Sequence, residues 1–394
     1  MNLLYLAAFV PWPENDGDKV RAMTTLRLLA RRNRIFGFFL SPDGSTRLPA
    51  EVARLCRDTV VHPIGKLERG RGALRAALGR KPVQAGSHWN PKAHDRLARA
   101  LARWRPDAVH VHRLRMMPYA ERLGLPYILD HTDCLSHYFK LARDLLGWRK
   151  WYARLDLGPL SRAERHWGNT AAACLVITDN ERRNLKALGI KKPIHVVPNW
   201  LDLSRWSRAP RPKRPGNFVF IGNMGYPPNI HGLEWFLGRP ASELARLAPG
   251  AGLDVVGGGT PASLMRRARY SSLPVRFLGF RPDVRGILAA SAGLLCPLPI
   301  AAGLQNKVIQ AFARGTPVVS TRNVARFAGA RPSVEILASD DPAGFARLAA
   351  RLVHEPALGR RLAEAARRLA VFRFSEKAAT RAMNAALADL KEAA

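Results

Sequence analysis

Acidic residues are scarce in this chain. Its 394 residues hold 30 Asp and Glu against 63 Lys and Arg, a formal net charge of +33. The deficit is spread throughout: residues 1–197 carry 35 basic and 17 acidic side chains, and the rest carry 28 and 13. That excludes a neutral domain with a basic tail. It points to polyanions as partners, whether nucleic acid, anionic headgroups or phosphorylated substrates. Cysteine is scarce too. Cys56, Cys134, Cys174 and Cys296 lie far apart with no CxxC pair, which argues against a zinc site or a disulfide framework. They are expected as small buried apolar side chains in a reducing compartment. Long apolar runs are missing. Residues 1–13 have no charged side chain, but no basic segment precedes them and Pro11 and Pro13 interrupt the run, so no secretory leader is expected. Residues 286–306 are uncharged but broken by Gly293, Pro297, Pro299 and Gly303. A membrane helix needs about 20 mostly apolar residues, so strand and loop are expected there. No Walker A sequence and no Gly-x-Ser-x-Gly elbow occurs.

What is present builds a core. Hydrophobic residues make up 47% of the chain, which excludes a disordered protein, and the length suggests two domains. Short apolar runs alternate with helical patterns. Strands are expected at Leu3–Val10, Arg34–Leu40, Thr59–Ile64, Ala108–His112, Tyr127–His131 and Cys174–Thr178, with helices over Val20–Arg32 and around His94–Trp104. A breaker-rich stretch, Arg208 to Gly216, reads as a boundary or loop. A second series follows at Phe218–Gly222, Leu253–Gly257, Val275–Gly279, Gly293–Cys296, Pro317–Ser320 and Val334–Leu337. The last helix, Ser375 to about Lys391, has Ala379, Met383, Ala386, Leu387 and Leu390 on one face, so it must dock. Near-continuous apolar strands between helices imply parallel sheets covered on both faces.

In such sheets, ligands bind beyond the carboxyl ends of strands, so chemistry is sought in the loops that follow them. The first is Pro11 to Lys19, with Gly17, Asp18, Lys19 and Arg21 at a helix start. It suits a phosphate or is an ordinary turn whose Asp16 or Asp18 caps the helix. Asp16-Gly-Asp18 spells a DxD metal motif, but capping is the better reading. The second group is His110 and His112, then Asp130-His-Thr-Asp133. His131 or Asp133 can polarise or deprotonate a sugar hydroxyl, or be structural; alternation sends His110 into the core. The third is Gly257-Gly258-Gly259, which permits close approach of a diphosphate. It is not G-x-G-x-x-G and lacks the acidic residue about 20 positions on, and Asp283 reads as a helix start. The fourth runs from Pro299 to Val319. A glycine turn at Gly303 opens a helix bearing Asn306, Lys307 and Gln310, Gly315 stops it, and Pro317 begins a strand. Lys307 and Gln310 share a face and form a cradle for phosphate and ribose, unless they are surface residues of a plain connection.

This fourth segment resembles the donor-binding segment of GT-B glycosyltransferases of the large family 4 of retaining sugar transferases. In finer detail the chain resembles bacterial sugar transferases of PEP-CTERM/exosortase exopolysaccharide systems. The matching residues are Pro13 to Arg21, Val197-Pro-Asn-Trp-Leu-Asp202, Phe220-Ile-Gly-Asn-Met-Gly-Tyr-Pro-Pro-Asn229 with Trp235-Phe236, and Gly303-Leu-Gln-Asn-Lys-Val308. They span nearly the whole chain. The resemblance implies an α/β GT-B fold: two Rossmann-like, doubly wound parallel-sheet domains facing a central cleft. The domains implied are 1–192 on the acceptor side, 193–372 for the donor, and 373–394 as a helix packing back on the first.

It also implies a nucleotide-sugar donor, UDP- or GDP-linked, and no other cofactor or metal. Gly222, Asn223, Asn229, Gly257, Gly258 and Arg281 are implied near the donor, with Gly303, Leu304, Gln305 and Asn306 at the helix start. Lys307 is implied at the diphosphate and Gln310 at the ribose. Gly17, Asp18, Lys19 and Arg21 fall to the acceptor or phosphate side, and catalytic roles to His131, Asp133 and Lys307. The acceptor implied is a glycan or a polyprenyl-diphosphate-linked glycan, at the cytoplasmic face of an anionic membrane. Two features depart from the family pattern: Gln310 replaces an acidic residue, and the Gly222–Asn229 loop has no basic side chain. They leave open a non-catalytic nucleotide-binding protein. The charge keeps a nucleic-acid-binding protein as the third reading, with 15 basic and 4 acidic residues over 54–115 beside Trp89 and Trp104.

Overall fold

The computed structural model describes residues 1–14, 16–142, 150–206, 214–301 and 303–393. The chain divides into two units: Met1–Asn199 with Ala379–Ala394, and Trp200–Ala378.

The first unit holds a seven-stranded parallel sheet. Its strands are β1 (Asn2–Ala7), β2 (Arg34–Ser41), β3 (Asp58–Pro63), β4 (Ala108–His112), β5 (Tyr127–Thr132), β6 (Ala173–Val176) and β7 (Ile194–Val196), in the order β3-β2-β1-β4-β5-β6-β7. Leu4 and Leu6 of β1 are fully buried with Phe38, Val111 and Leu129 of neighbouring strands, which is why these runs read as unbroken apolar sequence. β1 stops at Ala7, the last residue with a register partner on β2, three residues before the expected end. Three-residue β7 escaped expectation because it is too short to show a pattern.

The second unit holds a six-stranded parallel sheet. Its strands are β8 (Asn217–Ile221), β9 (Gly252–Val256), β10 (Val275–Gly279), β11 (Gly293–Cys296), β12 (Val318–Ser320) and β13 (Leu337–Ala338), in the order β10-β9-β8-β11-β12-β13. Two expectations need correction. Residues 286–290 lie in the helix Arg285–Ala290, which reaches the strand through Ser291 and Ala292. β13 begins at Leu337 instead of Val334, because only Val319 and Ser320 of the short β12 offer it partners. Of the breaker-rich stretch, residues 208–213 lie outside the described residues.

The final helix, Glu376–Ala393, buries Ala379, Met383, Ala386, Leu387 and Leu390, the whole expected stripe. Its Asp389 meets His195 Nε2 at 2.6 Å within the first unit. Cys134, Cys174 and Cys296 are buried and Cys56 is half-buried; all four are free thiols. Among the described residues, no helix is long and apolar enough to cross a membrane.

Candidate functional site

Each sheet has one point where strand order reverses, and loops leaving the strands there diverge to opposite faces and open a crevice. In the second unit that point lies between β8 and β11. The residues following these two strands meet there. Lys307, on the helix Asn306–Arg314 after β11, donates to Asn229 Oδ1 at 2.8 Å; Asn229 lies on the helix Pro227–Phe236 after β8. Asn229 Nδ2 donates to the Asn223 carbonyl at 2.8 Å. The Lys307 ammonium also stands 4.5 Å from the Phe220 ring centroid. It is 8% exposed, and among the described residues no carboxylate pairs with it. Burial lowers its pKa from the ordinary lysine value. A buried cation with an amide and an aromatic face, but no counter-charge among the described residues, has the chemistry to receive an anion.

The surrounding loops are laced together. Met224 N–H donates to the Gly258 carbonyl at 2.9 Å. A Cβ on Gly257 would sit 1.8 Å from the Gly222 carbonyl oxygen, and its φ is +151°, so only glycine fits. Gly303 turns the chain with φ +67° into buried Leu304 and then Gln305. Gln305 stands at the cap of the Lys307 helix without a side-chain hydrogen bond to it. Asn306 is the first helical residue, and Gln310, one turn beyond Lys307, is partly exposed. Ala302 lies outside the described residues. Arg281 is placed differently. It is exposed and lines a cavity of about 510 Å³ with Arg214, Asn217 and Asp254, residues that are not part of the Lys307 group.

In the first unit the order reverses between β1 and β4. Asp16 caps the helix Gly17–Ala30 by accepting from the Lys19 N–H at 2.9 Å. Asp18 accepts from Arg113, which follows β4, and Arg113 reaches Asp133 after β5 at 3.6 Å. Both acidic residues of the DxD motif are therefore engaged, one as cap and one as ion pair. Lys19 is partly exposed.

Arg21 corrects the expectation of a phosphate ligand. Its side chain is 1% exposed and grips Asp130 through two nitrogens at 2.9 and 3.2 Å, while a third donates to the Val197 carbonyl. All its donors face inward. It ties the first helix to β5 and to the segment after β7.

His131 is 2% exposed, and neither ring nitrogen has a hydrogen-bond partner; burial drops its pKa to about 4, so the ring is neutral at pH 7. His110 and His112 are fully buried with no hydrogen bond at either ring nitrogen, held by burial at about 4 and about 3, and His110 Nε2 stands 4.0 Å from Asp130 Oδ2. His110 stacks on Tyr5 with centroids 4.9 Å apart, as a core residue does. Asp133 differs. Burial pushes its carboxyl up to about 7 against the pull of Arg113, with Glu181 and Asp18 adding repulsion. One of its oxygens has no partner. A carboxyl that titrates at neutral pH can take or give a proton.

Arg113 was not singled out from the sequence, although it joins Asp18 to Asp133. Its position directly after β4 was the available signal. The structure adds a second: φ is +65° at Arg113 and +66° at Thr132, rare for such residues and placed at the ends of adjacent strands. Glu164 and Glu181 were also missed. They accept the N–H groups of Leu135, Ser136 and Cys134, so carboxylates already fill that helix start.

Comparison with known proteins bears on the family and the fold. The model of Glycosyltransferase Family 4 matches residues 20–205, and that of Glycosyl transferases group 1 matches residues 215–355. Glycogen synthase of Mycobacterium tuberculosis is 28% identical over 314 residues, covering 75% of this chain and 70% of that protein. The lipopolysaccharide core biosynthesis glycosyltransferase LpsE of Rhizobium meliloti is 28% identical over 296 residues, covering 70% and 85%. Among solved structures, sucrose-phosphate synthase from Thermosynechococcus elongatus superposes with a TM-score of 0.76 at 15% identity, over 100% of this chain and 99% of the other. Anabaena HepE in complex with UDP gives 0.70 at 12% identity, over 98% and 100%. At these identities the structural likeness is one of fold.

Proposed function

Because the chain belongs to the group 1 and family 4 glycosyltransferases and has their GT-B fold, we propose that it is a retaining hexosyltransferase. On this reading it moves a sugar from a UDP- or GDP-linked donor to a glycan or polyprenyl-diphosphate-linked glycan. The setting is exopolysaccharide or cell-surface polysaccharide synthesis, as in the PEP-CTERM-associated enzymes it resembles, at the inner face of a bacterial cytoplasmic membrane. The observation that carries the proposal is Lys307, a buried cation without a carboxylate partner among the described residues, at the start of a helix beside the reversal point of its sheet.

Breaking the anomeric bond leaves a nucleoside diphosphate, and the departing charge must be met as it develops. Lys307 and the helix start supply positive potential without a metal. Gln310 binds the ribose, and Gly222, Asn223, Asn229, Gly257, Gly258, Gly303, Leu304, Gln305 and Asn306 shape the phosphate pocket. His131 orients a sugar hydroxyl as a neutral ring, and Asp133 exchanges its proton. Gly17, Asp18 and Lys19 face the acceptor. The donor phosphate helps deprotonate that acceptor.

The test is a thermal-shift panel of UDP-, GDP- and CMP-linked sugars, followed by a transfer and hydrolysis assay with the donor that binds. Binding with turnover supports the proposal, and no shift with any donor refutes it. Gln310 in place of an acidic residue favours a second reading, a protein that binds the nucleotide without turnover; a shift without transfer or hydrolysis would select it.

A further inference from the structure

The helix Lys66–Leu78 carries its large side chains on the wrong side for a soluble protein. Leu67, Leu74 and Leu78 are 67%, 62% and 77% exposed. At 3.6 residues per turn they fall within about 40° of one another, so they form one stripe. The inward face carries Gly72, Ala73 and Ala76 beside Arg69, whose Nε is buried. A Cβ on Gly72 would sit 2.4 Å from the Gly86 carbonyl oxygen, and one on Gly86 would sit 2.3 Å from Ala76 Cβ. The helix is thus docked on the segment Val83–Gly86 by near backbone contact. That docking fixes its rotation and points the leucines outward. A surface helix ordinarily turns its leucines to the core.

Charge identifies what the stripe meets. Residues 66–81 hold Lys66, Arg69, Arg71, Arg75, Arg80 and Lys81 against the single acid Glu68. Glu68 is engaged toward the protein, accepting from Gly65 N–H at 2.9 Å and Asn90 Nδ2 at 3.0 Å. Arg71 and Arg75 follow the leucines around the same side of the helix, and both are exposed. A second copy of this face would be repelled by its own charge. A nucleic acid would gain nothing from leucines, which offer no ring for bases to stack on. Anionic lipid satisfies both features, phosphates for the cations and acyl chains for the leucines.

We propose that the helix Lys66–Leu78 lies in the headgroup layer of an anionic bilayer, with Leu67, Leu74 and Leu78 in the acyl boundary and the arginines on lipid phosphates. This inference rests on the proposed placement at a membrane surface and names the element that makes the contact.

The test is co-sedimentation of the full chain with vesicles of phosphatidylglycerol and phosphatidylcholine, and with vesicles of phosphatidylcholine alone. Wild type is expected on the first and not the second, with binding reduced at high salt. The variant Leu67→Ser/Leu74→Ser/Leu78→Ser is expected to lose at least about tenfold in binding. Arg71→Glu/Arg75→Glu is expected to lose a comparable amount. Melting temperatures should stay unchanged, because all five side chains are exposed. Undiminished binding by both variants would overturn the assignment of this helix while leaving the membrane placement standing. Wild type bound to neither vesicle would overturn both. Equal binding to both would overturn the role of charge. Loss of a dimer, with vesicle binding intact in the leucine variant, would assign the stripe to a second copy and overturn the lipid proposal.

Discussion

Lys307 Nζ and Asn229 Oδ1 stand 2.8 Å apart, joining two helices that follow β11 and β8, the strands on either side of the reversal point of the second sheet. The contact holds a positive charge in a dry place without neutralising it. Holding that charge costs stability unless an anion arrives.

Replacing that lysine therefore separates stability from function. Lys307→Met keeps the volume and removes the buried charge. The melting temperature should hold or rise, while transfer falls by about a hundredfold or more. A thermal melt and a turnover assay on one preparation check both. Unchanged turnover would remove Lys307 from the site.

Gln310 sets donor affinity on the proposed reading. A carboxylate accepts from both ribose hydroxyls, whereas an amide offers one acceptor oxygen and a donor NH₂. Gln310→Glu should tighten nucleotide-sugar binding by about tenfold or more, the worth of one added charge-assisted hydrogen bond. Titration calorimetry measures it, and equal affinities would detach this residue from the ribose.

Asp133 titrates near pH 7 because burial opposes its charge. If it acts as the base, activity should rise with pH through about 7 and then level off. Asp133→Asn should lower the rate and flatten that limb. The sign for stability is opposite. The folded-state pKa is raised, so the stabilisation is complete below the unfolded carboxyl value and disappears as pH climbs through about 7. The asparagine variant should therefore gain in melting temperature relative to wild type as pH rises from 5 to 8. A rate profile that keeps its limb in the variant would assign the titration to another group.

Arg21 and Asp130 form a buried, two-nitrogen ion pair. Arg21→Met leaves Asp130 uncompensated beside two neutral histidines and should cost about 3–5 kcal/mol. Arg21→Met/Asp130→Leu should recover much of that loss. Denaturant unfolding of the two variants makes the comparison. A mild loss in the single variant would show that the pair is better solvated than its burial implies.

Much of the fold was legible because it rests on local patterns. Apolar runs between helical periodicities placed nearly every strand to within a few residues, and the stripe Ala379, Met383, Ala386, Leu387, Leu390 marked a docking helix that is buried as expected. Errors fell where pairing sets the boundary: β13 is as short as its neighbour allows, and β7 has too few residues to carry a pattern. Site residues were legible as chemistry but not as partnerships. Arg21 read as an available cation at a helix start, because nothing in the chain marks Asp130, 109 residues away, as the group that engages it. Arg113 passed unnoticed for the matching reason: its worth lies in bridging Asp18 and Asp133.

The scarcity of acidic residues shows the same division. Composition alone determined a strongly basic surface with an affinity for anions, because net charge needs only a count of residues. Tertiary structure decided what individual charges do. It turned Arg21 inward onto Asp130, left Lys307 buried without a carboxylate partner among the described residues, and set Arg71 and Arg75 outward beside three exposed leucines. Strand order and helix rotation make these choices, and both are settled by packing between residues far apart in the chain. Local periodicity tells a side chain which face it shares, but not what stands opposite.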